Sequence, residues 1–130
     1  MKILIIEDEA PLAHVFEEKL NERGYFTEIA ADGEVGLAMA KSFNPDVIVL
    51  DLRLPKKDGF AVLAELKADE ALKSIPVIVV SNLMLDSDIK RALLLGAADY
   101  YVKSEHPINA IVEKIITMFP EGKQSAQTHS

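Results

Sequence analysis

Short apolar runs alternate with amphipathic segments along this chain, and that alternation restricts the fold more than any other feature of the sequence. There are five strand candidates: Ile3–Ile6, Thr27–Ala30, Val47–Leu50, Val77–Val80 and Tyr100–Val102. They are rich in β-branched residues and leucine, and three of the five are almost uninterrupted apolar runs. Near-continuous apolar strands are typical of parallel sheets buried on both faces. The strict alternation of strand and helix therefore predicts an α/β domain whose open parallel sheet is covered by helices on both faces.

The segments between the runs have the spacing of helices that bury one face. The first carries Leu12, Val15, Phe16 and Leu20 on one side, and Gly24 is expected to end it. The remaining helices are predicted at about 34–43, 59–68, 86–95 and after Pro107, which is expected at the first helical position.

The composition indicates one soluble domain. With 49% hydrophobic and 27% charged residues it is an ordinary globular composition, and no apolar run approaches the ~18 residues that cross a bilayer. The absence of cysteine excludes disulfides and thiolate sites, and the net charge of −7 argues against direct nucleic-acid binding. We expect a cytoplasmic protein with neither a membrane nor a nucleic acid as a direct partner. Residues 1–119 should form the domain, and residues 120–130 a polar, disordered tail.

Polar residues follow the predicted strands at the edge where the carboxyl ends of parallel strands meet. Glu7 and Asp8 follow the first strand, Asp51 the third, Ser81 the fourth and Lys103 the fifth. In such sheets the functional crevice lies outside these carboxyl ends. Each residue alone has a plain structural explanation, since an acidic residue after a strand commonly caps a helix. The requirements of helix caps and turns do not explain why all five residues lie at the same edge of the sheet.

Carboxylates gathered in one crevice repel each other, and a divalent cation removes that cost. Mg²⁺ suits one or two carboxylates together with water and phosphate oxygens. A lysine and a hydroxyl beside them can hold the oxygens of a phosphoryl group attached to one carboxylate. A flavin or dinucleotide is not favoured, because those sites need glycine-rich loops, and the acidic run 7–9 would repel a phosphate without metal.

Four segments together resemble the receiver domain of bacterial response regulators, over residues 2–119. They are KILIIEDE at 2–9, DVIVLDLRLPKKDG at 46–59, IPVIVVS at 75–81 and GAADYYVK at 96–103. The resemblance implies the flavodoxin-like receiver fold, a doubly wound five-stranded parallel sheet in the order 2-1-3-4-5. It also implies a stand-alone receiver that signals by phosphorylation and is not an enzyme, apart from its own phosphorylation and slow dephosphorylation.

The resemblance further implies the phosphoacceptor and the metal ligands. Asp51 matches the acceptor. Mg²⁺ would be bound by Asp8, Asp51 and the backbone carbonyl of Arg53, with Glu7 acting through water.

Three other residues match groups that respond to the phosphoryl group. Lys103 matches the lysine that pairs with phosphoryl oxygens, Ser81 the hydroxyl that turns toward them, and Tyr100 the aromatic switch residue. The implied donor is a sensor histidine kinase or a histidine phosphotransfer protein. The implied output is a change in the face built from helix four, strand five and helix five, which would bind a downstream protein or a second copy.

Two positions depart from the family pattern. Ser104 stands where proline usually follows the lysine, often after a cis peptide bond, so we expect either a strained cis bond or a different loop path. Asn82 stands where alanine or glycine is common, and its larger side chain is expected to narrow access to the acyl phosphate and change its formation and hydrolysis rates.

The fourth helix and fifth strand carry more apolar residues than one sheet can bury. The consecutive residues 93–95 are all leucine and cannot all face inward, whereas Tyr100 and Tyr101 should point to opposite faces. We expect Leu94, Tyr101 and Ala98 to form an exposed patch for dimerisation or docking. The alternative is that this helix is simply well buried.

Two other function classes stay open at this point. A degenerate receiver-like interaction module would never carry phosphate, but such a module is expected to lack one of the pocket residues, and here all are present. A hydrolase with an aspartate nucleophile usually needs a second aspartate two residues later as general acid, and Arg53 occupies that position.

Overall fold

The computed structural model describes residues 1–120 and contains five parallel strands and five helices. In chain order the elements are β1 Lys2–Ile6, α1 Ala10–Glu22, β2 Phe26–Ala30, α2 Gly33–Phe43, β3 Val47–Leu50, α3 Gly59–Ala68, β4 Val77–Ser81, α4 Asp86–Leu94, β5 Asp99–Val102 and α5 Ile108–Met118. The strands form one sheet in the order β2-β1-β3-β4-β5. The predicted fold class and strand order are confirmed.

The predicted element boundaries lie close to the observed ones. Strand β4 continues one residue further than predicted, to Ser81, and β5 begins one residue earlier, at Asp99. The prediction for Pro107 is wrong by one position. Pro107 is the N-cap residue and has an extended backbone, and α5 begins at Ile108.

The sheet separates two apolar clusters because successive strand residues point to opposite faces. Ile3 and Ile5 of β1 face the layer formed by α1 and α5, whereas Leu4 and Ile6 face the layer formed by α2, α3 and α4. The α1/α5 layer contributes Phe16, Leu20, Ile111 and Ile115, among others. All strand positions of β1 after Lys2, and all those of β3 and β4, are buried, which explains their almost continuous apolar sequence.

The predicted apolar patch is only partly present. Leu94 is 85% exposed, and Ala98 is exposed as well. The prediction for Tyr101 is wrong, because this residue is only 8% exposed. Its ring packs in the α1/α5 layer with His106 against it edge-on, and its hydroxyl donates to Asp99 at 2.6 Å.

The expected opposition of the two tyrosines is confirmed, since Tyr100 packs against the other cluster. None of the helices described for residues 1–120 has the length and apolar character of a membrane span. The predicted tail, residues 120–130, lies outside the described residues except for Pro120.

Candidate functional site

The carboxyl ends of four strands bring the predicted site residues to one edge of the sheet. Glu7 and Asp8 follow β1, and Asp51 follows β3, which lies between β1 and β4. Ser81 is the last residue of β4, and Lys103 follows β5. The parallel register aligns the ends of neighbouring strands, so these residues lie at the same edge of the sheet.

Lys103 is the electrostatic centre of this group. Its Nζ lies 2.7 Å from Glu7 Oε1, 2.9 Å from Asp51 Oδ2 and 3.2 Å from Glu9 Oε1. Glu7 and Asp51 are each only 4% exposed. Buried charges persist in proteins when they are paired and hydrogen-bonded, and a single ammonium group meets that requirement for both buried carboxylates.

Burial changes the protonation behaviour of this group. It raises the pKa of Glu7 to about 7, and the nearby Asp51 carboxylate acts in the same direction, while the hydrogen bond from Lys103 opposes the rise. Burial alone would lower the pKa of Lys103, but hydrogen bonds to Glu7 and Asp51 outweigh it and raise that pKa above its usual value. The lysine therefore keeps its positive charge inside the site.

The carboxylates form a candidate metal site. Glu7, Asp8 and Asp51, which we call the acidic cluster, each offer one oxygen, and these oxygens lie within 4.8 Å of one another. Beside them is a cavity of about 170 Å³, lined by Asp8, Glu9, Asp51, Arg53, Asn82 and Lys103. Hard oxygen ligands next to a polar cavity fit a divalent cation that retains water and binds phosphate oxygens.

The backbone that carries Asp51 is held by the start of helix α3. A Cβ atom added to Gly59 would lie 2.4 Å from the carbonyl oxygen of Asp51 and 2.3 Å from Leu52 Cα, so only glycine permits this approach. The N–H of Gly59 donates to the Leu52 carbonyl at 2.8 Å, and Asp58 caps the helix through the N–H groups of Phe60 and Ala61. The N–H of Arg53 donates to Asp51 Oδ1 at 3.2 Å.

Ser81 and Tyr100 both contact the loop that leads into helix α4. The Ser81 side chain is fully buried, and its hydroxyl oxygen accepts from the N–H of Leu83 at 3.4 Å. The Tyr100 hydroxyl donates to the carbonyl of the same Leu83 at 2.7 Å. Burial raises the pKa of Tyr100, so its hydroxyl keeps the proton that it donates.

Sequence reasoning assigned no role to Glu9, although its carboxylate contacts the Lys103 ammonium group. The available signal was the run of three acidic residues after β1, of which only Glu7 and Asp8 were given roles. Asp8 does not cap helix α1, because the N-cap residue is Glu9.

The two departures from the receiver pattern are hydrogen-bonded to each other. The Asn82 Oδ1 atom accepts from the N–H of Ser104 at 3.0 Å. The peptide bond between Lys103 and Ser104 is trans, so the loop follows the alternative path that the sequence left open.

The family model described as "Response regulator receiver domain" matches residues 3–116. The chain belongs to this family. As a receiver domain it functions in phosphorylation-dependent signalling, and the degenerate interaction module is not favoured. Receiver domains interact with histidine kinases or phosphotransfer proteins.

Curated relatives of the receiver domain include transcriptional regulators. The probable transcriptional regulator ycf27 of Porphyridium aerugineum is 42% identical over 106 residues, which are 82% of this chain and 43% of the relative. The DNA-binding dual master transcriptional regulator RpaA of Synechocystis is 39% identical over 102 residues, 78% of this chain and 42% of the relative. The chain thus spans less than half the length of these relatives.

Solved structures of similar length share the receiver fold. The Mn²⁺-bound form of response regulator Rcp1 superposes with a TM-score of 0.82 at 31% identity, covering 92% of this chain and 94% of that one. The phosphorylated cyanobacterial phytochrome response regulator RcpA gives a TM-score of 0.81 at 33% identity, covering 93% and 94%.

Proposed function

We propose that this receiver domain accepts a phosphoryl group on Asp51 from a histidine kinase or a histidine phosphotransfer protein, in a reaction that depends on Mg²⁺. The observation that carries the proposal is the contact of the Lys103 ammonium group with Asp51, whose carboxylate lies close to those of Glu7 and Asp8. The metal-bound and phosphorylated forms of similar receivers support it. We further propose a cytoplasmic location. We also propose that the partner is a protein, since the net charge of −7 disfavours contact with DNA through this domain.

The Asp51 carboxylate is the nucleophile of the proposed reaction. One carboxylate oxygen forms a bond to phosphorus while the bond between phosphorus and the donor imidazole nitrogen breaks. The electron pair of that bond stays on the imidazole nitrogen, which then takes up a proton from solvent. The Arg53 N–H and the Lys103 ammonium group hold the two oxygens of Asp51 at 3.2 and 2.9 Å, so the nucleophile is positioned before a donor arrives.

Asp8, Asp51, the Arg53 carbonyl and, through water, Glu7 would hold Mg²⁺. When bound, the cation would supply positive charge for the oxygens of the transferring phosphoryl group. Lys103 lies close enough to Asp51 to donate to a phosphoryl oxygen attached there. Arg53 offers no proton to a leaving group, so this chain turns over no external substrate, and loss of the phosphoryl group is slow hydrolysis.

The phosphoryl group adds a charge of about −1.5 to −2 beside Asp51. The hydroxyls of Ser81 and Tyr100 both contact Leu83, in the loop that leads into α4. A shift of the Ser81 hydroxyl toward the phosphoryl oxygens would therefore change its contact with Leu83. Because the Tyr100 hydroxyl contacts the same residue, the positions of Tyr100 and of helix α4 would change as well. We propose that the output is a change in the face formed by α4, β5 and α5, which binds a downstream protein or a second copy of the chain.

The phosphorylation proposal is tested by intact mass spectrometry. The wild-type protein and the Asp51→Asn variant are incubated with acetyl phosphate and Mg²⁺. We expect an adduct of ~80 Da on the wild type only, since a carboxamide cannot form the acyl phosphate. A wild type that stays unmodified, or an Asp51→Asn variant that is modified equally, contradicts the assignment.

The output face is tested by sedimentation of the phosphorylated protein. Leu94→Asp places a charge on the most exposed apolar residue of α4, and Val35→Asp on α2 is the control at 44% exposure. We expect self-association to decrease at least several-fold with Leu94→Asp only. Equal behaviour of the two variants excludes the dimer form of the proposal.

A further inference from the structure

We propose that Asn82 is a positioning residue for Lys103 and acts through the backbone N–H of Ser104. This inference rests on the proposed role of Lys103 in holding phosphoryl oxygens. The Asn82 side chain accepts from the Ser104 N–H at 3.0 Å, directly after the lysine. The N–H of Lys103 itself donates to the Ser81 carbonyl at 2.9 Å. The peptide groups on both sides of Lys103 are thus fastened to the end of β4.

The side chain of Asn82 provides a contact that the sheet cannot supply. The pairing of β4 with β5 ends where Ser81 lies beside Val102. Beyond Ser81 the backbone leaves the sheet toward α4, while the chain after Val102 turns, closed by the N–H of Glu105 on the Val102 carbonyl at 3.0 Å. The carboxamide of Asn82 spans the gap between the diverging chains and extends the pairing by one residue.

Precise placement matters at Lys103 because its single ammonium group contacts three carboxylates. The distances from its Nζ to Glu7, Asp51 and Glu9 differ by only half an ångström, from 2.7 to 3.2 Å. A backbone shift of that size after β5 changes which carboxylate the ammonium group favours. Holding the Ser104 N–H keeps the ammonium group near Asp51, whose oxygen attacks the phosphorus.

Asn82 also lines the cavity beside Asp51, so its bulk offers a competing explanation. If bulk alone mattered, a smaller residue would admit the phosphodonor faster. If the hydrogen bond matters, any residue without an acceptor would slow the reaction. The variants Asn82→Ala, which removes both bulk and acceptor, and Asn82→Leu, which keeps the bulk and removes only the acceptor, separate the two explanations.

The experiment measures the rate of phosphorylation by acetyl phosphate at saturating Mg²⁺ for the full chain. Loss of one hydrogen bond of ordinary strength predicts a rate roughly three- to tenfold lower in both Asn82 variants. Ser104→Ala keeps the backbone N–H and removes only the hydroxyl, so it is the matched control and should react within twofold of the wild type. The Kd for Mg²⁺ should also stay within about twofold, because none of the carboxylates has changed.

Hydrogen exchange of the Ser104 amide provides a second test that needs no phosphorylation. We expect faster exchange of this amide in Asn82→Leu than in the wild type, with unchanged exchange at the Lys103 amide, whose acceptor is the Ser81 carbonyl. Unchanged exchange at Ser104 overturns the inference whatever the reaction rates are.

The kinetic outcomes divide in the same way. Slower reaction of both Asn82 variants with a normal Ser104→Ala control supports the inference. A faster Asn82→Ala variant, or an Asn82→Leu variant at the wild-type rate, overturns it and assigns the effect to bulk. A wild type that forms no adduct contradicts the proposed function itself, and the hydrogen-exchange result then still decides whether Asn82 fastens this loop.

Discussion

At the scale of single residues, the Lys103 ammonium group determines the charge state of the site. It contacts Glu7, Asp51 and Glu9, and it is the cation that compensates the buried carboxylates in the structure. Glu7 has a pKa raised to about 7, so part of its population holds a proton near neutral pH. The acidic cluster thus stores unfavourable electrostatic energy that a cation can relieve.

The raised pKa of Glu7 makes metal-free stability depend on pH. Its pKa rises from the ordinary glutamate value of 4.5 to about 7 on folding, so the folded state binds more protons between these values. Stability from this residue is therefore complete below about pH 4.5 and is lost as pH rises through 7, by at most about 3 kcal/mol. We expect Glu7→Gln to remove this loss in thermal unfolding between pH 5 and 8 with EDTA present.

Glu113→Gln is the control for this measurement, because Glu113 is 61% exposed in its ion pair with Arg23. Its unfolding temperature should follow the wild-type pH dependence. A Glu7→Gln variant that loses stability with pH as steeply as the wild type shows that another group causes the loss.

The location of a residue was predictable from sequence where its position was tied to a strand end. The positions of Asp8, Asp51 and Lys103 followed from where apolar runs stopped, because parallel strands place their carboxyl ends together. Glu9 was missed because the path of the Lys103 side chain depends on the three-dimensional turn after β5. Tyr101 was predicted to be exposed. The alternation of side chains along a strand shows which face of the sheet a residue lies on, but it does not show whether a helix covers that residue.

At the scale of elements, the β3–α3 connection fixes the position of Asp51. The close approach of Gly59 to Asp51 and Leu52 leaves no room for a side chain. Helix α4 is attached differently, since Ala92 is its one buried residue. The proposed acceptor Asp51 is thus held by a tightly packed helix start, and the proposed output helix by few buried groups.

Gly59→Ala tests the tight packing of this connection. The added methyl group would overlap backbone atoms, which cannot move aside as a flexible side chain can, so we expect a loss of about 1–3 kcal/mol in unfolding free energy and slower phosphorylation. Urea unfolding and the acetyl phosphate reaction measure these effects.

Gly36→Ala is the matched control, since the three atoms nearest to its added methyl group are side-chain atoms of Ile6 and none belongs to the backbone. Alanine also favours the interior of α2, which offsets part of the crowding. Equal losses for the two variants contradict a special role for Gly59.

The helices and strands themselves were predictable because each segment has a single hydrophobic periodicity and a clear end in the sequence. The errors lie at the ends, as at Ser81 and Pro107, where pairing with a neighbouring strand or the geometry of a cap decides a single residue. The path of the loop after Lys103 was not predictable, because it depends on the hydrogen bond between Asn82 and Ser104.

At the scale of the whole molecule, the sheet joins two helical layers and places the acidic cluster at one of its edges. A cation bound there would contact residues that follow β1 and β3, which are paired in the sheet. A cation that binds only the folded state stabilises the entire domain by mass action. Metal binding is therefore measurable as global stability without any phosphodonor.

We expect Mg²⁺ to raise the unfolding temperature by several degrees at about 100 times its Kd, equivalent to ~2.7 kcal/mol. Asp8→Ala should remove most of this gain, because it deletes the exposed carboxylate of the acidic cluster. Glu70→Ala is the control, since Glu70 is an exposed carboxylate paired with Lys73 and not with the cluster. A gain that persists in Asp8→Ala would place the cation elsewhere.

The strand order has a practical consequence for engineering. Asp51, the proposed phosphoacceptor, follows β3, the middle strand, whereas Tyr100 lies in β5, which has a sheet neighbour on one side only. The exposed surface beside β5 can therefore be redesigned, to graft a recognition epitope or a fluorescent reporter, without changing the strands that precede the acidic cluster. Such a redesign must leave the carboxyl end of β5 unchanged, because Lys103 follows this strand and its ammonium group contacts Asp51.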